Sequence, residues 1–120
     1  MIEPYLVGFG GMIGAYLRYV VSNLVEQGEF PMGTFSVNVI GSFVLGLITF
    51  LGVDTNTMLF LGVGVCGSFT TFSSFSVDTV QLWESGTQFT AIAYAVGNLL
   101  GAIGAIGLAG LLVSGVAGAL

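Results

Sequence analysis

Four apolar stretches, each about as long as a bilayer-crossing helix, divide this chain, and only short polar turns lie between them. The first runs over about residues 4–25 and is followed by the polar bend Glu26-Gln27-Gly28-Glu29. The second, about 31–51, opens at Phe30-Pro31, where proline suits a helix start. Asp54-Thr55-Asn56 reads as a turn with a helix cap. The third stretch, about 57–83, is too long for one plain helix and ends at Trp83, a residue favoured at a membrane interface. After the turn Glu84-Ser85-Gly86-Thr87 comes the fourth, about 88–113, and a tail of small residues from Ser114 to Leu120.

Charge is scarce enough to settle the class. The 120 residues include one Lys or Arg and six Asp or Glu, with 55% hydrophobic residues and a mean hydropathy of +1.04. Soluble domains carry about a quarter charged residues. The expectation is an all-α integral membrane protein, residues 1–120 forming a single four-span domain in the plasma membrane, with no second, soluble domain. The net charge of −5 argues against nucleic acid and against a polybasic lipid anchor; membrane lipid is the expected surrounding. Orientation is normally set by Lys and Arg in cytoplasmic loops, and no loop here has either, which permits insertion both ways round. Histidine is absent and Cys66 is alone, so soft-metal sites and Ser-His or Cys-His pairs are excluded and an enzyme is not expected. The N-terminus lacks a basic signal-peptide region, and the first span is expected to stay in the mature protein.

The third span contains Gly67-Ser68-Phe69-Thr70-Thr71-Phe72-Ser73-Ser74-Phe75, five hydroxyls within the last eight of these nine residues. Such groups are costly in lipid unless they face protein, water or an ion. Phe69, Phe72 and Phe75 recur every third residue and share one helical side. The run predicts a broken helix beside an aromatic face, the makings of a permeation site. Asn38 in the second span and Asn98 in the fourth, one turn after Tyr94, add amides that serve either as interhelical glue or as pore lining. Arg18, the only cation, either snorkels to an interface, bonds helix-end carbonyls or lines a vestibule. Asp78, one turn past Ser74, fits a helix cap, an interface or permeation. Ring edges at Phe72 and Phe75 are positive and suit a small dehydrated anion. Gly10 and Gly14 form one close-packing pair, and Ala93, Gly97, Gly101, Ala105 and Ala109 predict a small-residue groove.

Three segments carry a resemblance: residues 10–19 (Gly10-Gly11-Met12-Ile13-Gly14-Ala15-Tyr16-Leu17-Arg18-Tyr19), residues 31–43 (Pro31 to Phe43, including Ser36-Val37-Asn38-Val39-Ile40-Gly41-Ser42) and residues 67–76 (Gly67 to Ser76). In this order and spacing the chain resembles the CrcB/Fluc fluoride channels over nearly its whole length. The resemblance implies an antiparallel dual-topology dimer with two pores for passive fluoride export. It implies ring edges from Phe72 and Phe75, an amide from Asn38 and hydroxyls from Thr71 and Ser74 along the pore. Tyr94 and Asn98 would lie on a polar track of the fourth span, and Arg18 would stand near a vestibule. Backbone carbonyls of Gly67 and Thr70 would hold a central structural Na⁺. The partner would be a second copy or a sister homologue. Two positions depart from the family's habit: Asp78 stands where Glu is frequent, and Asn98 where Ser is, with Ala102 one turn later lacking a hydroxyl. A small proton-coupled exporter is the first alternative, weakened because the first, second and fourth spans hold no mid-membrane carboxylate. A membrane assembly subunit is the second, and it leaves the hydroxyl-aromatic run unexplained.

Overall fold

The computed structural model describes residues 1–25, 28 and 30–119, with no strand among them. Glu26, Gln27 and Glu29 of the polar bend lie outside the described residues, as does Leu120. The first helix spans Glu3–Val25. The second, Met32–Leu51, starts directly after Pro31 and stops at Gly52, whose φ of 69° is a left-handed conformation that glycine adopts without strain. The third span, Thr55–Glu84, is interrupted. A second left-handed glycine, Gly86, turns the chain into the last helix, Gln88–Ala119. Its 32 residues make it about 48 Å long, more than the roughly 30 Å hydrocarbon core needs.

The second and third spans and the last helix are long and apolar enough to cross a membrane. The first helix has the length, 23 residues, but Arg18, Tyr5, Tyr16 and Tyr19 keep it below the same apolarity. The most extensive helix pair is the second with the last. They run in the same direction: Asn38 lies beside Asn98, Val39 beside Gly101 and Gly46 beside Ala109. The first helix instead packs on the third span.

That second crossing depends on backbone contact. Met58–Cys66 forms a π-helix, a wide turn that the hydropathy pattern did not reveal. Its Gly64 rests on Gly10, and a Cβ on Gly64 would lie 2.9 Å from the Gly10 Cα. A Cβ on Gly10 would meet the carbonyl oxygen of Phe60, and one on Gly14 that of Val65. The expected groove on the last helix is partly corrected. Ala105 and Ala109 are buried and Gly101 meets Val39 and Phe35, but Ala93 is exposed. A helix turns about 100° per residue, so each four-residue step drifts about 40° round the axis and carries Ala93 off the face. The buried stripe above Gly101 is Asn98, Tyr94 and Ala91.

The start of the third span is capped by Asp54, whose carboxylate accepts hydrogen bonds from the Thr57 hydroxyl and N–H. Those two donors hold its carboxyl below the usual carboxylate range. A lowered folded-state pKa means stabilisation that is present above the unfolded value and lost as pH falls through the folded one. Between about pH 5 and about pH 3 the thermal midpoint of the wild type should therefore fall further than that of Asp54→Asn, which caps without titrating. Equal slopes in a thermal-unfolding series would exclude this cap as an acid-sensitive element. At the helix crossing, Gly14→Val should cost about 1–3 kcal/mol, since the facing carbonyl cannot yield cheaply. Gly107→Ala, with nothing within 4 Å, should be neutral or slightly stabilising in the same assay.

Candidate functional site: a hydrogen-bonded break in the third span

The break falls at two threonines. A single helical turn, Gly67–Phe69, ends at Thr70, whose ψ of 156° is extended. Thr71 is extended as well (φ −145°, ψ 117°), and helix resumes over Phe72–Glu84. Residues in this conformation cannot continue the i→i+4 ladder, and at membrane depth an unpaired peptide group costs several kcal/mol. The missing bonds come from a side chain. Asn38 accepts from the Thr71 N–H at 2.8 Å and donates from Nδ2 to the Thr71 carbonyl at 3.2 Å. Its Nδ2 also donates to Asn98 Oδ1 at 3.2 Å, and Asn98 Nδ2 donates to the Tyr94 carbonyl at 3.0 Å. On the far side the Thr71 hydroxyl accepts from the Ser74 N–H at 3.1 Å and so caps the resumed helix. The Thr70 hydroxyl donates back to the Cys66 carbonyl at 3.0 Å. A Cβ on Gly41 would run into the Thr70 methyl, so glycine at that position lets the second helix come close enough for Asn38 to reach.

This bonding displaces two carbonyls from the ladder. The i+4 donor of Gly67 would be the Thr71 N–H, which Asn38 takes. The i+4 donor of Thr70 would be the Ser74 N–H, which the Thr71 hydroxyl takes. Gly67 is exposed. Among the described residues no group of three or more His, Cys, Asp or Glu could hold a metal, and the oxygens at the break are those of backbone carbonyls and of the Ser68, Thr70 and Thr71 hydroxyls.

Beside the break lies a surface cavity of about 330 Å³. Asn38, Thr70, Thr71, Phe72, Phe75 and Asn98 line it. Five of the residues expected along a pore are thus brought together, with the Thr70 side chain added. Phe72 is 79% exposed, and its ring centroid lies 5.9 Å from that of Phe75. The other expected residues lie elsewhere. Ser74 is exposed and its side chain does not line the cavity. Tyr94 is fully buried behind Phe75, with ring centroids 5.6 Å apart. Arg18 is half-buried on the first helix and makes no ion pair with the described residues.

Asp78 is in the interior of the resumed helix and caps nothing. Its Oδ2 accepts from the Thr34 hydroxyl at 2.8 Å and from the Tyr94 hydroxyl at 3.1 Å, which ties three helices together. Thr34 was not among the expected residues, although it stands one turn before Asn38 on the same face. The cavity also takes in Ser42, one turn after Asn38. A four-residue spacing on the second helix was the available signal for both.

Membrane-length apolar helices around a hydrogen-bonded helix break define a multi-pass helical membrane protein. The chain belongs to the CrcB family: the family described as "CrcB-like protein, Camphor Resistance (CrcB)" matches residues 5–119. It is 54% identical over 107 residues to fluoride-specific ion channel FluC 2 of Haloarcula marismortui, covering 89% of this chain and 90% of that one. It is 51% identical to FluC 1 of Halobacterium salinarum, covering 91% and 92%. The fluoride-specific ion channel FluC of Methanocaldococcus jannaschii is 41% identical over 106 residues, covering 84% and 86%.

Asn38→Ala leaves the Thr71 N–H and carbonyl unpaired, at about 1–3 kcal/mol for each. The variant should unfold at clearly lower temperature than the wild type, with Asn38→Asp, which keeps only the acceptor, between them. A thermal-unfolding comparison in detergent checks the order; an unchanged Asn38→Ala would mean that the clamp carries no stability.

Proposed function

We propose that this chain is a fluoride-selective channel that passively exports fluoride across the plasma membrane. Its relatives bear the name fluoride-specific ion channel. The observation that carries the reading onto this chain is the break at Thr70–Thr71 set against two phenyl rings in one cavity. A small anion that leaves water needs several modest donors in place of its hydration shell, and fast conduction needs each of them weak. The edges of Phe72 and Phe75, the Thr71 hydroxyl and the Asn38 and Asn98 amides are of this kind, with no full positive charge to trap the ion. The Nδ2 contacts of Asn38, both 3.2 Å, are the longest in the cluster and are the bonds for which an arriving anion competes. In this reading Tyr94 backs the Phe75 ring, Ser74 lies at the edge of the path, and Arg18 draws anions toward a vestibule.

The working unit in this proposal is an antiparallel dual-topology dimer with two pores, in which the first helix serves as the fourth span. Its 23 residues are about 34 Å long, enough for the hydrocarbon core. Two observations support the pairing: loops without Lys or Arg encode no orientation, and Phe72 and Gly67 are exposed along the broken span. The carbonyls of Gly67 and Thr70 fit a structural Na⁺, because a hard cation prefers oxygen donors and both have lost their ladder donors to side chains. When bound, such an ion would offset the dipoles of carbonyls gathered from two broken spans. A sister homologue is the other candidate partner.

Liposomes containing the purified protein should release fluoride rapidly to a fluoride electrode and retain chloride. Phe72→Ile should cut that release at least tenfold while the protein still elutes at the wild-type size. Equal release from the folded variant would remove the ring from the path. No fluoride release from wild-type protein, alone or mixed with a sister homologue, would overturn the channel reading.

A further inference from the structure

Few of the polar groups around the cavity keep a donor free. Both Nδ2 hydrogens of Asn38 are engaged, by the Thr71 carbonyl and by Asn98 Oδ1. The Thr70 hydroxyl is engaged by the Cys66 carbonyl. Two of the clustered groups keep a hydrogen to offer: the Thr71 hydroxyl, which serves only as an acceptor for the Ser74 N–H, and the second Nδ2 hydrogen of Asn98. One turn beyond Asn98 the cavity wall is Ala102, which has no donor.

The second helix fills that level. It runs alongside the last helix in the same direction, with Asn38 beside Asn98, so the residue one turn beyond Asn38 is level with the residue one turn beyond Asn98. That residue is Ser42. It lines the same cavity, is half-buried, and its hydroxyl makes no hydrogen bond to the described residues. Serine and threonine hydroxyls inside helices commonly bond back to the i−4 carbonyl, as Thr49, Ser76 and Thr79 do here. Ser42, like Ser36, Ser73 and Ser74, makes no such bond, and of these four it is the one that lines the cavity. The preceding Gly41, pressed against Thr70, sets Ser42 beside the break. Past it the lining turns apolar at Leu45, so Ser42 is the last hydroxyl donor on this wall of the cavity.

We propose that the Ser42 hydroxyl is an anion ligand of this pore, the donor that takes over from Asn98 at the level where the last helix presents Ala102. This rests on the fluoride-channel reading. A hydroxyl donated to an unshielded small anion is a charge-assisted bond, and its loss raises the barrier at that level by an amount equivalent to about tenfold in rate.

Fluoride efflux would be measured on four proteins of matched size-exclusion profile: wild type, Ser42→Ala, Ser42→Thr and the double variant Ser42→Ala/Ala102→Ser. The expected result is an approximately tenfold slower efflux for Ser42→Ala, near wild-type efflux for Ser42→Thr, and recovery in the double variant, where the hydroxyl returns from the facing wall. Wild-type efflux in Ser42→Ala would overturn the assignment while leaving the channel reading standing. Slow efflux in both Ser42→Ala and the double variant, with Ser42→Thr slow as well, would also overturn it, because the position would then act through packing. Should Ser42→Ala fail to fold, Ser42→Thr against Ser42→Val, alike in shape and different in the hydroxyl, reads the same quantity. Absence of fluoride release from the wild type itself would instead count against the channel reading.

Discussion

A peptide group at membrane depth must find a partner inside the protein, and the arrangement around Thr70 and Thr71 follows from that requirement. Two extended residues in the third span remove ladder bonds that lipid cannot replace. One amide side chain, Asn38, supplies both a donor and an acceptor to the exposed peptide of Thr71. For the amide to reach, the second helix must lie against the break, which the missing side chain of Gly41 allows. For it to point correctly, Asn98 must hold its other hydrogen, and Asn98 is itself held by the Tyr94 carbonyl. The position of Tyr94 is then fixed by Asp78 and by the Phe75 ring. Second helix, broken span and last helix therefore form one connected polar structure.

The same bonds divide the polar groups into those spent on structure and those left for a ligand. Asn38 has both Nδ2 hydrogens bonded within the protein, to the Thr71 carbonyl and to Asn98 Oδ1, so an anion would reach it only in competition with those bonds. The Thr71 hydroxyl accepts with its oxygen and keeps its hydrogen. Gly67 and Thr70 lose their ladder donors to these same side chains, so the bonds that stabilise the break are the ones that expose its carbonyls. Asp78, half-buried, is bonded at Oδ2 by the Thr34 and Tyr94 hydroxyls rather than by a cation. An ion path formed here would meet dipoles and ring edges rather than fixed charges, which suits rapid passage more than tight binding.

Local composition determined much of this. Charge scarcity and apolar length define a helical membrane chain, because both are sums over neighbouring residues and need no tertiary information. The hydroxyl run announced an interrupted helix, since such groups in lipid demand partners. The Gly10 and Gly14 spacing announced a close crossing, and the structure adds that Gly64 is what it crosses. The five-residue small stripe was legible only in part. Steps of four suit a short contact, but their drift around a straight helix removes Ala93 and brings Asn98 and Tyr94 onto the buried side instead.

Tertiary structure alone decided which polar groups meet. Residue types 33 and 60 positions apart meet at Asn38, which joins Thr71 and Asn98, and no periodicity within one helix encodes a distance between helices. The π-helix was hidden for a similar reason: Met58–Cys66 has the hydropathy of any apolar helix, and its wider winding accompanies a glycine-lined crossing with another segment. Ser42 and Thr34 stand at plain helical spacing from Asn38, yet one faces the cavity and the other the Asp78 carboxyl group. Sequence determined that a membrane chain would break its third span and need hydrogen bonds there; only the packing of three helices determined which side chains supply them and which keep a donor free.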